Sequence, residues 1–438
     1  MEDSYVRNLI LTSFANRYPH WEVQTELPAK SNEVGTEKHI SDESSQDNYH
    51  LHWGEYEHID WFSTEFTTEK ILVSSYYNRK GLIRKGHLAQ ILENWHAKYK
   101  DKRPPISPKS YLFRLPTSMV NETMVLTDNL KTPPATQEIT DQAFLCAFKE
   151  ALLHSGFPGF SLSNIMNESD KGTYKSENNV KAIEPEGETW ILKPSVTNQA
   201  VGISLVQSED QLCRAIYEAD AVEKAGDFVL QQYIPPLLLD KRKFHLRVFL
   251  LLHGNLSAYV SSDFLAIFSL EPYDHSDIQN TKAHFTNISH QEVLSIENQH
   301  RCMRSFDETK QDMVDSGLVK DIEEAENRIE QVRQKVYGII AQTVEAVSSE
   351  LTFTSKQNCF ELFGLDLMVD PEWNVWLLEA NAEPDLSKAG ERLQLIIDKM
   401  LVDTLEIIVK QDSRFYEQND WDNTTSFVKV FERKGRSY

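Results

Sequence analysis

Phe360-Glu361-Leu362-Phe363-Gly364-Leu365-Asp366-Leu367-Met368-Val369-Asp370 leads through Pro371-Glu372-Trp373-Asn374 into Val375-Trp376-Leu377-Leu378-Glu379-Ala380-Asn381. The first run holds Asp366 among Leu, Phe and Val, the pattern of a buried strand. The tetrapeptide supplies a turn and the second run ends in Glu379 and Asn381, so the pair reads as a β-hairpin. Residues two apart on a strand share a face, which sets Glu379 beside Asn381 and opposite Asp366. A single acid in a strand is ordinarily a solvated one, because charges are seldom buried without partners. Two carboxylates and an amide oxygen embedded in apolar sequence call for a cation. Hard oxygen ligands suit Mg²⁺ shared with substrate phosphates, and Asp366, Glu379 and Asn381 are the candidate metal ligands.

Upstream, Thr189-Trp190-Ile191-Leu192-Lys193-Pro194-Ser195 reads as a short strand, and after a small-residue loop the chain re-enters a strand at Ile203-Ser204-Leu205. A lysine at a strand end is placed to meet phosphate, although a lone one is usually just solvated and the chain has neither a P-loop nor GxGxxG. Phe228-Val229-Leu230-Gln231-Gln232-Tyr233-Ile234 is a further strand, stopped by Pro235-Pro236. In Arg242-Lys243-Phe244-His245-Leu246-Arg247, the residues Lys243, His245 and Arg247 share one face before the strand turns wholly apolar. Such a face calls for an anion. The bland alternative is a charged edge strand, which the long apolar continuation argues against.

The order of these elements resembles the tubulin-tyrosine ligase family of ATP-grasp enzymes. Leu82-Ile83-Arg84-Lys85-Gly86-His87-Leu88, Pro108-Lys109-Ser110-Tyr111, Glu271-Pro272-Tyr273 and His284-Phe285-Thr286-Asn287 also resemble that family, and the likeness spans about residues 70–400. It implies an α+β ATP-grasp fold, with ATP held between two α+β lobes and a smaller N-terminal lobe in front. The implied divisions are 1–74 (an N-terminal lobe with a flexible acidic insertion near 31–48), a basic 75–135, an ATP-grasp domain at 136–410 and a tail at 411–438. The resemblance further implies that Lys85 and Lys193 bind the ATP phosphates and that Gln231, Gln232, Tyr233 and Ile234 form the adenine hinge. Lys243, Thr286 and Asn287 would lie at the nucleotide. Arg247 and Glu379 would be catalytic, and Asp366, Glu379 and Asn381 would hold Mg²⁺. Four features depart from the family pattern. His245 stands at an aspartate position and Ile267 at a substrate-binding arginine. Gln232 replaces a common lysine, and the loop after Lys193 is poor in glycine and basic residues.

The chain of 438 residues is long enough for two or three lobes around a sizeable core. Its net charge of −22 disfavours nucleic acid as the main partner. Between Tyr76 and Leu115, however, ten basic residues face only Glu93 and Asp101. That excess reads either as a solvated face or as a groove for an acidic peptide, with RNA the other polyanion that fits it. Cys146, Cys213, Cys302 and Cys359 are scattered without CxxC, as in reduced cytosolic proteins. His50, His52 and His58 read as surface residues. No window is apolar enough for a spanning helix and the first residues lack a signal-peptide pattern, so the expectation is a cytoplasmic protein without membrane contact.

Local patterns complete the reading. Tyr5–Phe14 is a short apolar-patterned segment and Ser31–Asn48 a loose acidic one. Trp53–Ser74 reads as strand-forming, and Leu88–Tyr99 and Thr140–Leu153 as amphipathic helices. Asn164–Glu188 reads as a flexible loop, Asp307–Glu350 as one long helix and Glu391–Val409 as a last helix. The tail from Gln411 reads as partly disordered.

The function these features imply is an ATP- and Mg²⁺-dependent ligase joining an amino acid to a protein C-terminus through an acyl phosphate. The acceptor would be α-tubulin or another protein with an acidic tail. The alternative is a nucleotide-binding, catalytically impaired relative acting as an interaction protein, as in fungal family members associated with mRNA-decay bodies. His245 and Ile267 motivate that alternative. A basic groove leading to Glu379 would favour ligation, and a groove plugged by apolar side chains would favour the scaffold.

Overall fold

The computed structural model describes residues 4–17, 50–115, 142–159, 188–195, 202–223, 227–286, 301–384, 386, 390–410 and 425–433. Asn287, the segment 31–48, residues 164–187 of the expected loop and most of the tail lie outside the described residues.

In chain order the elements are α1 (Ser4–Arg17), β1 (His50–His52), α2 (Thr64–Thr67), β2 (Ile71–Val73), α3 (Lys80–Ile83), α4 (Lys85–Tyr99), β3 (Ser110–Arg114), α5 (Gln142–Ser155), β4 (Trp190–Pro194), β5 (Ser204–Val206), α6 (Glu209–Glu223) and β6 (Asp227–Gln232). They continue with β7 (Leu238–Leu239), β8 (Arg242–His253), β9 (Ser257–Ser261), β10 (Leu265–Phe268), α7 (Thr281–His284), β11 (Met303–Ser305), α8 (Lys310–Asp315), α9 (Ile322–Ser348), β12 (Phe360–Val369), β13 (Val375–Ala382), α10 (Gly390–Lys410) and β14 (Phe427–Glu432).

Two sheets organise the molecule. The smaller has the order β3-β6-β4-β5, and its core is closed by Phe144, Phe148 and Ala151 of α5 and Leu212 and Ile216 of α6. The larger runs β11-β10-β8-β12-β13, with β9 also on β8 and β14 on β9. Helices cover both of its faces, which is why β8 and β12 read as nearly unbroken apolar runs rather than alternating ones. One face takes Phe244, Leu246, Val248 and Leu250 against Ile329, Val332, Val336 and Ile340 of α9. The other takes Phe249, Leu251 and Phe360 against Leu393, Ile397, Met400 and Leu401 of α10. Each such side chain contributes roughly 1.5–3 kcal/mol by burial, so an alanine at Leu251 would cost about 2–5 kcal/mol.

Three expectations are corrected. Trp53–Ser74 is strand only at Ile71–Val73, despite its aromatic content. Asp60 takes the Phe62 N–H at 3.1 Å and the Ser63 hydroxyl takes that of Phe66 at 3.1 Å, which starts a helical turn instead. Asp307–Glu350 is not one helix. Gly317, at φ +73°, ends α8, and the Asp321 carboxylate caps a new start by accepting from Glu324 N–H at 2.8 Å. The apolar stripe of α9 packs on the sheet, so it is not a coiled-coil seam. In the tail, Phe427–Glu432 is ordered as β14 because β9 offers it an edge, with Val428 opposite Val260.

Candidate active site

The hairpin forms as its sequence indicates. Along β12 and β13, Asp366 pairs with Glu379 and Gly364 with Asn381, and on the other side Asp366 pairs with Arg247 of β8. Residues paired across adjacent strands share a face, so Glu379, Asp366 and Arg247 form one row. That row continues through Leu265 of β10 to Ser305 of β11. Arg247 grips Asp366 with both arms, Nε to Oδ1 at 2.6 Å and Nη2 to Oδ2 at 3.2 Å. Gly364 makes this possible, since a Cβ there would meet Pro384 at 3.0 Å and Arg247 Cδ at 3.2 Å. Asn381 Nδ2 lies 3.3 Å from Glu379 Oε1, and Lys85 Nζ is 3.9 Å from Glu379 Oε2.

The smaller sheet delivers Lys193 to the same place. Lys193 donates to Gln231 Oε1 at 2.8 Å, and Gln231 in turn donates to the Ser110 hydroxyl at 3.2 Å. Burial lowers the Lys193 pKa, while the charges of Glu379, Lys85 and Asp366 all act on it, so the two sheets share one electrostatic site. Gly86 brings the start of α4 against this strand. Its N–H donates to the Ser195 hydroxyl at 3.0 Å, and a Cβ would stand 2.6 Å from that oxygen. Glycine there sets the distance between Lys85 and Lys193, a role for which sequence spacing carries no signal.

Beyond the Gln231 hinge, Tyr233 is buried, and its hydroxyl receives Lys243 Nζ at 3.0 Å and lies 2.9 Å from His284 Nδ1. Burial, with the charge of Lys193 adding to it, pulls the Lys243 pKa down to about 7. His284 orients Tyr233, and its other nitrogen meets the Asp274 carbonyl at 3.0 Å. Gln232 and Ile234 are half-buried next to these groups in the chain. His245 sits between the two clusters, with Nδ1 at 2.5 Å from Thr286 Oγ1 and Nε2 at 3.6 Å from Asp366 Oδ1. Burial and the neighbouring Arg247 push its pKa to about 3. Lys85, Lys193, Gln231, Tyr233, Lys243, Arg247, Thr286, Asp366, Glu379 and Asn381 are thus linked into one neighbourhood, with Gln232 and Ile234 adjoining it in the chain.

The basic stretch is less free than its charge count suggests. Arg79 pairs with Glu361 and Glu383, Arg103 with Glu345, Lys109 with Glu93, and Arg114 with Asp227. Part of its net excess is thus spent on acids from distant parts of the chain, while Lys109 meets an acid of the same stretch.

The donor set fits a hard divalent cation: two carboxylates and an amide oxygen, with phosphates and water to complete the shell. Among the described residues no group of three His, Cys, Asp or Glu side chains is poised to hold a metal without such help.

A sequence model described as the tubulin-tyrosine ligase family matches residues 121–415. The chain belongs to the tubulin-tyrosine ligase family. Relatives in it include PBY1 of Saccharomyces cerevisiae, named a probable tubulin–tyrosine ligase, at 26% identity over 96% of this chain and 53% of that protein. The chain thus spans about half the length of that relative. A probable tubulin–tyrosine ligase of Schizosaccharomyces pombe is 26% identical over 85% of each chain, and tubulin glycylase 3D of Tetrahymena thermophila 26% identical over 51% of this one. Among solved structures, the C-terminal domain of K. lactis Pby1 superposes with a TM-score of 0.60 at 22% identity, covering 99% of this chain and 98% of that one. It is described as an ATP-grasp enzyme interacting with the mRNA decapping enzyme Dcp2. The fold is α+β ATP-grasp, as the family resemblance implied. No helix among the described residues is long and apolar enough to cross a membrane.

Proposed function

We propose that this family member binds ATP and Mg²⁺ between its two sheets and uses them to join an amino acid to the C-terminus of a protein through an acyl phosphate. The observation that carries this reading is the convergence of Lys85 and Lys193 on Glu379 and Asp366, with Arg247 locked onto Asp366. A carboxylate is a poor electrophile. Transfer of a phosphoryl group to its oxygen, with ADP leaving, makes the carbonyl carbon open to an amine, and phosphate then departs. Lys85, Lys193 and Arg247 would offset the charge spread over the transferring group. Lys243, Gln231, Gln232, Tyr233, Ile234, Thr286 and Asn287 would hold the nucleotide. Bound Mg²⁺ would neutralise phosphate charge from Asp366, Glu379 and Asn381. The compartment consistent with four free thiols is the cytoplasm, and an acidic tail such as that of α-tubulin is the acceptor the family suggests.

One observation favours a second reading, a nucleotide-binding interaction protein like the Dcp2-associated neighbour. Ile267 is 3% exposed, pairs directly with His245 and packs among Leu265, Met303 and Leu386. Among the described residues, neither His245 nor Met303, the strand neighbours of Ile267, is a lysine or arginine that could receive a substrate carboxylate there. Radiolabelled tyrosine, glutamate or glycine incorporation into a detyrosinated α-tubulin tail peptide, with ATP and Mg²⁺, separates the two. Incorporation abolished by Glu379→Gln establishes the ligase. ATP binding without incorporation of any of the three leaves the interaction protein.

A further inference from the structure

Seven large apolar side chains are exposed among the described residues, and three of them belong to segments that meet around Asn78: Phe62 at 82%, Tyr77 at 46% and Leu351 at 95%. Asn78, next to Tyr77, donates to the Leu351 carbonyl at 3.0 Å and draws the two segments together. Behind Phe62 and Tyr77 runs a ladder of rings. Phe62 and Tyr77 are 6.5 Å apart, Tyr77 and Trp61 5.4 Å, and Trp61 and Tyr56 5.3 Å.

The ladder is held rigidly. Asp60 fixes the Phe62 backbone, and the Tyr56 hydroxyl donates to the Tyr77 carbonyl at 2.8 Å. Arg79 covers the inner end, 4.7 Å above the Tyr56 ring, and its guanidinium is already engaged by Glu361 and Glu383. On the rim Glu57 and Asp60 are exposed and Glu55 partly so, with the exposed His58 3.8 Å from Glu55, so three carboxylates stand against one imidazole. A phenylalanine displayed in a fixed turn forgoes the roughly 1.5–3 kcal/mol that burying it would return, so the arrangement suits a surface that something covers.

We propose that this face docks an extended segment of a partner protein bearing arginine or lysine. Aromatic faces attract cations through their quadrupole, and the carboxylates add a Coulomb attraction that selects the same sign. The acidic rim opposes a nucleic acid or a phosphate. A two-fold contact with a second copy would set Glu57 and Asp60 against their own images. The chain's residues 31–48 carry five acids against one lysine and are repelled likewise. Through Arg79 and Glu383 the face lies one side chain from the end of β13, which bears Glu379 and Asn381.

The test uses the full chain and a fluorescein-labelled dodecapeptide of repeated Arg-Pro-Leu, with a Glu-Pro-Leu counterpart, followed by anisotropy at low and high salt. Saturable binding of the arginine peptide is expected, weakened at least tenfold by Phe62→Ala with Tyr77→Ala and at least threefold by Glu57→Lys. Phe62 and Glu57 are exposed, so neither change threatens folding. Thermal melts of all variants confirm that, and should the double variant melt early, Phe62→Ala alone decides. Equal binding by the Phe62 variants would show that the acidic chain attracts the peptide elsewhere and would overturn the proposal. So would the absence of saturable binding, or equal binding of the glutamate peptide or a labelled RNA oligonucleotide.

Discussion

The row that crosses the large sheet changes character within one strand spacing. From Glu379 through Asp366 to Arg247 it is charged: Arg247 compensates Asp366 from the next strand, and Lys85 of α4 stands by Glu379. One strand further it reaches Leu265, and beside it the neighbouring row, from His245 through Ile267 to Met303, is apolar on β10 and β11 and packs on the α10 side of the core. Glu379 and Arg247 are half-buried, whereas Asp366, Leu265, Ile267 and Met303 are buried, so exposure is part of the contrast. Counter-charge is the rest of it: Arg247 sits against Asp366 and Lys85 lies 3.9 Å from Glu379, whereas Ile267 and Met303 bring no charge to their positions.

The largest blow to the charged half is Asp366→Ala. It leaves Arg247 partly buried without its carboxylate, and about 3–5 kcal/mol of stability should be lost in urea unfolding, with ATP binding lost as well. A loss under 1 kcal/mol would mean that Arg247 is solvated and that the row is not electrostatically coupled. Ile267→Arg attacks the apolar half by burying a charge beside His245, at a cost of about 3 kcal/mol. Adding His245→Asp supplies a cross-strand carboxylate, and the double variant should recover roughly 1–3 kcal/mol of that loss in a double-mutant cycle. Strict additivity would show that the two positions do not face each other.

Lys243→Met should leave the ligand-free protein as stable or about 1 kcal/mol more so, because a desolvated amine is removed. Calorimetry should show ATP affinity falling at least tenfold, since a charged hydrogen bond is worth roughly 1.5–3 kcal/mol. The smallest effect is that of pH. With its folded pKa near 7 and its unfolded one near 10.5, Lys243 binds fewer protons in the native state across that window. The Lys243 contribution to ligand-free stability therefore rises with pH from about 7 to 10.5. Anion binding favours the protonated amine, so ATP should bind with proton uptake above pH 7 and weaken by at most about tenfold per pH unit. Calorimetry in buffers of different ionisation heat measures the uptake, and a zero value at pH 8.5 would place the proton elsewhere.

Much of this was legible because it is local. The hairpin, the face shared by Lys243, His245 and Arg247, and the strand of Lys193 each follow from periodicity and turn residues within a dozen positions. The convergence of those strands came from the ordered resemblance to a family and not from any one motif. What stayed hidden was set by partners far along the chain. In the stretch from Tyr76 to Leu115, Arg79 and Arg103 count as free charges until Glu361, Glu383 and Glu345 arrive to pair with them. Trp53–Ser74 has strand propensity, but side-chain caps at Asp60 and Ser63 outcompete it. Phe427–Glu432 looked like tail because a strand needs an edge, and β9 is more than 150 positions away in sequence.

By itself the sequence determined which residues carry charge into apolar strands, and hence where a phosphate- and metal-type site is proposed. Side-chain chemistry and a two-residue period are written in the order of amino acids. Only the tertiary structure decided which charges are spent on one another and that Ile267 stands against His245 within a sealed core. It also decided which rings remain outside. Those outcomes depend on strand register and on desolvation, and both are properties of residues brought together across hundreds of positions.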